Sequence, residues 1–245
     1  MAVDEALLIA AAAGENVATL RLYEWEEPTL SLGYFQRCAD RNAHAASLGA
    51  AVVRRQSGGG ALIHDRELTY SLVLPATHPL ARDTQGLYYA MHHAIAALLV
   101  RLLRADGAGW TLEVRKVGAG LSAHEEPFLC YERRAAGDVI IATRNALGDD
   151  LTHKIVGSAQ RRRCAVLQHG SVLLGTSPAA PELPGLCDVV GAQLAPQELA
   201  SELPAVTAEL LGHPVRPASL PQAVRSEAER IAREKYSNRR WTERR

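Results

Sequence analysis

The segment RRQSGGGALIHD, residues 54–65, restricts the fold more than any other stretch of this chain. Three consecutive glycines lie between a basic, polar run and an apolar run that ends in His-Asp. Glycine loses more backbone freedom on folding than any other residue, so a triplet inside ordered flanks needs a structural reason. Three reasons are open: a tight turn or bulge between strands, a cradle for phosphate, or the floor of an acyl site. The triplet lacks the Lys-Ser/Thr ending of a Walker loop and does not clearly open a helix, which disfavours nucleotide-loop fingerprints.

The flanking pattern places the triplet among strands. ATLRLYEW (18–25) and TLSLGYF (29–35) read as strands joined by a turn at Glu26-Glu27-Pro28. Residues 40–48 read as a short helix stopped by Gly49, and AAVVRR (50–55) as the next strand, an α/β sign. After the glycines, ALIH and ELTYSLVLP (67–75) are strand-like, with Leu68, Tyr70, Leu72 and Leu74 on one face. Residues 3–13 are helical up to Gly14. Residues 83–104 form the clearest helix, its stripe carried by Leu87, Met91, Ile95, Leu98, Leu99 and Leu102. FLCYE, DVIIAT, HKIVGSAQ and CAVLQHGSVLL follow as β-rich segments. SPAAPELPG (177–185) is a proline-rich loop, and two helical stretches follow, about 196–211 and 221–235. The expected fold is α/β (α+β), a mixed β-sheet flanked by helices in one domain, 1–245, with 186–245 a helical C-terminal extension.

Composition removes several function classes. The 245 residues carry zero formal net charge, so no broad nucleic-acid footprint is expected. Basic residues cluster locally at Arg161–Arg163 and from Arg239-Arg240 to Arg244-Arg245, which fits a solvated face or a dock for an acidic protein. Cys38, Cys130, Cys164 and Cys187 show no C-x-x-C spacing, so neither a zinc site nor a disulfide framework is expected. The N-terminal run lacks the basic start of a signal peptide, and no apolar run is long enough for a membrane span. The expectation is a cytoplasmic protein with free thiols, Cys38, Cys164 and Cys187 being buried or half-buried.

Four segments carry candidate chemistry. The glycine triplet offers backbone N–H groups to a ligand. In HKIVGSAQ (153–160), Lys154 sits in an apolar strand, where it must either pair, point to solvent or polarise a bound carbonyl. In LQHGSVLL (167–174), His169-Gly170 interrupts a strand and reads as a core histidine or a site residue. In FLCYE (128–132), Cys130 reads as a buried hydrophobe or as a nucleophile assisted by a nearby cation. A thiol, a lysine and glycine-supplied donors together suit acyl transfer through a thioester.

In this order, TLSLGYFQ (29–36), RRQSGGGALIHDRELTYS (54–71), KIVGSAQRRR (154–163), LQHGSVLL (167–174) and the tail KYSNRRWTERR (235–245) resemble the lipoate–protein ligase and octanoyltransferase family. That family shares the catalytic fold of biotin–protein ligases. The resemblance implies that Arg55, Gly58, Gly59 and Gly60 line the pocket for the acyl chain, with His64 and Asp65 fixing the loop. It implies that Lys154 contacts the acyl carbonyl oxygen, that Gly157 and Ser158 shape the pocket, and that His169 and Gly170 stand on the adjoining strand.

The chain most resembles the cysteine-dependent octanoyltransferases, through HDRELTYS and through the place of Cys130 upstream of Lys154. The implied reaction moves an octanoyl or lipoyl group from acyl carrier protein, through a Cys130 thioester, to a lysine of a lipoyl domain. The acceptor would be the glycine cleavage H protein or a 2-oxoacid dehydrogenase E2. No cofactor is then required. ATP and Mg enter in the alternative, an ATP-dependent ligase forming lipoyl-adenylate. A third reading is a non-catalytic acyl-binding protein on the same fold.

Overall fold

The computed structural model describes residues 1–104, 109–118, 126–144 and 148–244. Arg245 of the basic tail therefore lies outside the described residues. Helix α1 (Ala2–Ala12) leads into strands β1 (Thr19–Tyr23), β2 (Thr29–Leu32), β3 (Ala51–Arg54), β4 (Leu62–His64) and β5 (Glu67–Pro75). Helix α2 (Thr84–Leu102) follows, then β6 (Trp110–Val114), β7 (Val139–Arg144), β8 (Asp150–Arg162) and β9 (Ala165–Leu173). The chain ends in α3 (Leu186–Val190), α4 (Pro196–Leu211), α5 (Gln222–Ile231) and α6 (Arg239–Thr242).

Among the described residues the strands form two sheets. The larger is antiparallel, in the order β1-β5-β9-β8-β7-β6, and the smaller is β3-β2-β4. β1 and β2 thus belong to different sheets, although a short turn joins them. β2 and β3 run parallel, which the crossover between them requires. That crossover is not the expected helix over 40–48 but two 3-10 turns, Cys38–Ala43 and Ala45–Ser47. The segment has no apolar stripe and buries only Ser47, so no packed face sustains α-helix there.

The large sheet is covered on both faces. Leu68, Tyr70, Leu72 and Leu74 of β5 pack with Leu87, Met91, Ile95 and Leu99 of α2 and with Leu199 and Leu203 of α4. On the other face Val73 and Leu167 pack with Leu7 and Leu8 of α1 and Val224 and Ile231 of α5. Burial on both faces explains why β5 has no exposed residue. Asp83 caps α2, accepting from the Gly86 N–H at 2.8 Å. The tail returns to β3, where the Trp241 indole donates to Arg54 O (2.8 Å) and Arg54 Nε donates to Thr242 O (3.0 Å).

FLCYE, expected in a strand, makes one bridge, Leu129 with Ala61, and then turns through a 3-10 helix at Cys130–Glu132. Leu129 and Tyr131 are buried although the segment forms no ladder, and the Tyr131 hydroxyl donates to Ser171 O at 2.7 Å. Cys164 is exposed at the β8–β9 turn, against the expectation of a buried or half-buried thiol. No helix among the described residues is long and apolar enough to cross a membrane.

Candidate active site

Pairing fixes which side chains share a face of the large sheet. Gly157, Ala159 and Arg161 of β8 pair with Ser171, His169 and Leu167 of β9. Leu167 packs against α1 and α5, so strand alternation puts all six on the face away from α2. The glycine loop meets this face, and a small cavity open to solvent lies between them. Arg55, Gly58, Gly59, His64, Cys130, Gly157, Ser158, His169 and Gly170 line it, joined by Tyr23 and Thr69.

The loop is built around its own arginine. The Arg55 guanidinium is buried and donates to Gly58 O (2.7 Å), Gly60 O (2.6 Å) and Ser31 O (2.8 Å). Burial draws Arg55 down to about 10. Curling the chain back on this side chain puts Gly59 at φ +94°, a conformation L side chains rarely adopt. The neighbouring Ser57 Oγ shares a 2.5 Å hydrogen bond with His169 Nε2, tying loop to sheet. Burial lowers His169 to about 4, so the ring is neutral near pH 7. His64 Nδ1 pairs with Glu67 Oε1 at 2.6 Å, and the ring stacks on Trp25 at 4.2 Å. Asp65 holds the loop from outside the cavity by accepting from Ser177 Oγ at 2.7 Å.

Lys154 and Gly60 do not line the cavity. Gly60 backs onto the Arg133 guanidinium, whose Nε would stand 2.6 Å from an added Cβ. Lys154 lies behind Gly157. Its Nζ pairs with Asp138 Oδ2 at 2.9 Å, both side chains being buried, and donates to Cys130 O (3.3 Å) and Cys130 Sγ (3.6 Å). The cysteine is fixed from its other side, its N–H donating to Ala61 O at 2.7 Å. A thiol is thus held against a buried ammonium at the edge of a cavity, with a carboxylate fixing the ammonium.

Several supporting residues escaped the sequence reading. Asp138 opens an apolar strand, and only the β7–β8 pairing shows that it faces Lys154. It also accepts from the Tyr88 hydroxyl (3.0 Å) and the Ala135 N–H (2.7 Å). His92 lies on the buried stripe of α2. Its Nδ1 meets Gly137 O at 2.6 Å and its Nε2 meets Ser158 Oγ at 2.5 Å. The Tyr70 hydroxyl reaches the same Ser158 oxygen, passing over Gly170. Burial lowers His92 to about 4 and raises Tyr70 to about 12, so both stay neutral near pH 7. The legible signal was a histidine in phase with Tyr88, Ile95 and Leu99.

The profile of the lipoyl protein ligase A/B catalytic domain matches residues 1–181. The chain belongs to this family. It is an enzyme of protein lipoylation, as the motifs implied, and not a binding protein on a borrowed fold. It is 34% identical to octanoyltransferase LipM of Kyrpidia tusciae over 94% of this chain and 89% of the relative. It is 35% identical to octanoyltransferase LipM of Clostridioides difficile over 71% of this chain, a match that spans 60% of the relative. In three dimensions it resembles the putative lipoate protein ligase of T. acidophilum with bound lipoic acid, at TM-score 0.72 and 22% identity. That match covers 99% of this chain and 92% of the other. The fold is that of the lipoate ligases, an α/β architecture as expected.

Proposed function

We propose that this lipoylation enzyme is an octanoyltransferase that takes the acyl group from acyl carrier protein and passes it through Cys130 to a lysine of a lipoyl domain. The observation that carries this reading is the contact, at 3.6 Å, of Lys154 Nζ with the Sγ of Cys130, which lines the cavity. The relatives named LipM octanoyltransferases support the acyl group and the reaction class. In the first step the Cys130 sulfur gives up its proton and attacks the thioester carbonyl, a new C–S bond forms, the carrier's C–S bond breaks, and the departing carrier thiolate takes up the proton that Cys130 lost. In the second, the acceptor amine attacks the enzyme thioester. A C–N bond forms, the C–S bond to Cys130 breaks, and the amine proton passes to the departing sulfur.

Each step develops charge at the acyl oxygen or at sulfur. Lys154 answers the charge at sulfur, because Asp138 holds its ammonium beside the thiol and it needs no rearrangement to donate there. A thioester supplies the free energy for amide formation, so the reaction runs without ATP or Mg. The chain packs between the glycine loop and the sheet: at about 0.8 kcal/mol per buried CH₂, six methylenes contribute roughly 5 kcal/mol. The acceptor is the lipoyl domain of an H protein or an E2.

Incubation with octanoyl–acyl carrier protein, followed by mass spectrometry, tests the reading. The expected result is an octanoyl adduct on Cys130 that a lipoyl domain discharges without ATP. Full activity in Cys130→Ser, or a strict requirement for ATP with free octanoate or lipoate, overturns it.

A further inference from the structure

Two arginines converge on one aromatic ring beside the cavity. Arg161 Cζ stands 5.9 Å from the centroid of the Tyr34 ring, and Arg244 Cζ stands 4.1 Å from it. Arg244 also lies 5.0 Å from the Trp241 ring. Both arginines are exposed, and among the described residues neither forms an ion pair with a carboxylate. By contrast, Arg239 and Arg230 are each paired with a glutamate. Two unneutralised guanidiniums at one ring repel each other, and an anion between them relieves that repulsion.

The ring also links the arginines to the cavity. Tyr34 meets Phe35 edge-on at 4.9 Å, and Phe35 lies 3.8 Å from the Cβ position of Gly58, which lines the cavity. On the opposite wall, Gly157 and Ala159 line the cavity and Arg161 follows on the same face of β8. Arg161 stands four residue steps along the strand from Gly157, about 13 Å at ~3.3 Å per step. Gly157 lies against Lys154, which touches the Cys130 sulfur.

That separation selects among anions. In an acyl-adenylate the phosphate is bonded to the acyl group, far too close to reach the arginines. In a pantetheine thioester about thirteen bonds separate sulfur from phosphorus. At about 1.2 Å of reach per bond, as in an extended peptide chain, they span roughly 16 Å. We propose that Arg161 and Arg244, set against Tyr34, bind the phosphate ester of the pantetheine arm while its thioester lies at Cys130. The planar guanidinium fork suits a phosphate better than an ammonium would. This inference rests on the thioester-donor reading above.

The test compares octanoyl-4′-phosphopantetheine with octanoyl-pantetheine, which differ only in the phosphate, and adds octanoyl–acyl carrier protein. It uses the wild type and the double variant Arg161→Gln, Arg244→Gln, with thermal melting to confirm that the variant folds. The wild type should favour the phosphorylated small donor by about tenfold in kcat/KM, the worth of one charge-assisted contact. The variant should use the two small donors equally and lose a similar factor on the carrier protein. Equal use of both by the wild type, or an undiminished preference in the variant, overturns the inference and leaves the donor reading standing. So does a loss seen with the carrier protein alone, which would place the arginines against the carrier's surface. A wild type that turns over none of the three thioesters overturns the donor reading itself, and the inference with it.

Discussion

Lys154 and Gly157 lie on the same face of strand β8, although three residues apart they should point to opposite faces. The register explains it: Val139 pairs with Val156 while Ile140 pairs with Lys154, so Ile155 is an extra residue on β8. A bulge of this kind re-aims a side chain, here bringing the Lys154 ammonium under the cavity wall toward Cys130. Gly157 then has to be glycine, since an added Cβ would stand 2.5 Å from Lys154 Cε and 2.9 Å from Nζ. Those atoms end a flexible chain, so they can move at little cost to the fold but at a large cost to their position. Gly157→Ala should lower kcat by at least about tenfold while shifting stability by no more than about 1 kcal/mol. Parallel turnover and urea-denaturation measurements check it, and a larger loss of stability than of activity would contradict it.

Asp138 is what keeps that ammonium in place. Lys154 and Asp138 are 3% and 0% exposed as side chains, so removing either charge strands the other in the interior. Asp138→Asn should cost roughly 3 kcal/mol, in the range seen when a buried pair is broken. Lys154→Met should cost a similar amount. The double variant should be more stable than the sum of the two losses allows, by at least about 1 kcal/mol, because no unpaired charge remains. Denaturation of the four proteins closes the cycle, and simple additivity would show that the pair is not coupled.

The contrast between what the sequence disclosed and what it withheld has a physical cause. Strand β5 was legible because its alternation is local, and α2 because its stripe repeats over five turns' worth of periodic residues. The glycine triplet, Cys130 and Lys154 were legible through their order along the chain. Asp138, Ser57 and His92 were not, since each acts through a partner distant in sequence: Lys154, His169 and Ser158. The bulge at Ile155 is equally silent, because it exists only relative to β7. The 40–48 segment misled because helix propensity without a face to bury is weak.

The two neutral histidines give the enzyme an acid limit. Burial lowers both His92 and His169 from 6.5 to about 4. The unfolded chain therefore binds more protons than the folded one between those values. Their contribution is fully present above about pH 6.5 and is lost as pH falls toward 4. Each should give a slope of about 1.4 kcal/mol per pH unit within that window. Unfolding free energies at pH 7, 6 and 5 should fall steadily, and His92→Gln should flatten the fall by about half. An unchanged slope in that variant would assign the acid sensitivity elsewhere.

Gly170 makes the opposite demand from Gly157. It separates Tyr70 and Ser158 across three strands, and its missing side chain is what lets the two oxygens meet. An added Cβ would stand 2.3 Å from Gly157 O and 2.4 Å from Ser158 Oγ. The first of these is backbone in the middle of a sheet and cannot swing aside. Gly170→Ala should therefore cost stability first, by about 2 kcal/mol or more, with activity falling in step with the folded fraction. It should also release Ser158 from His92, since the hydroxyl must move. The NMR signals of the His92 ring would report that release, and a variant as stable as the wild type would show that the strands yield at this point.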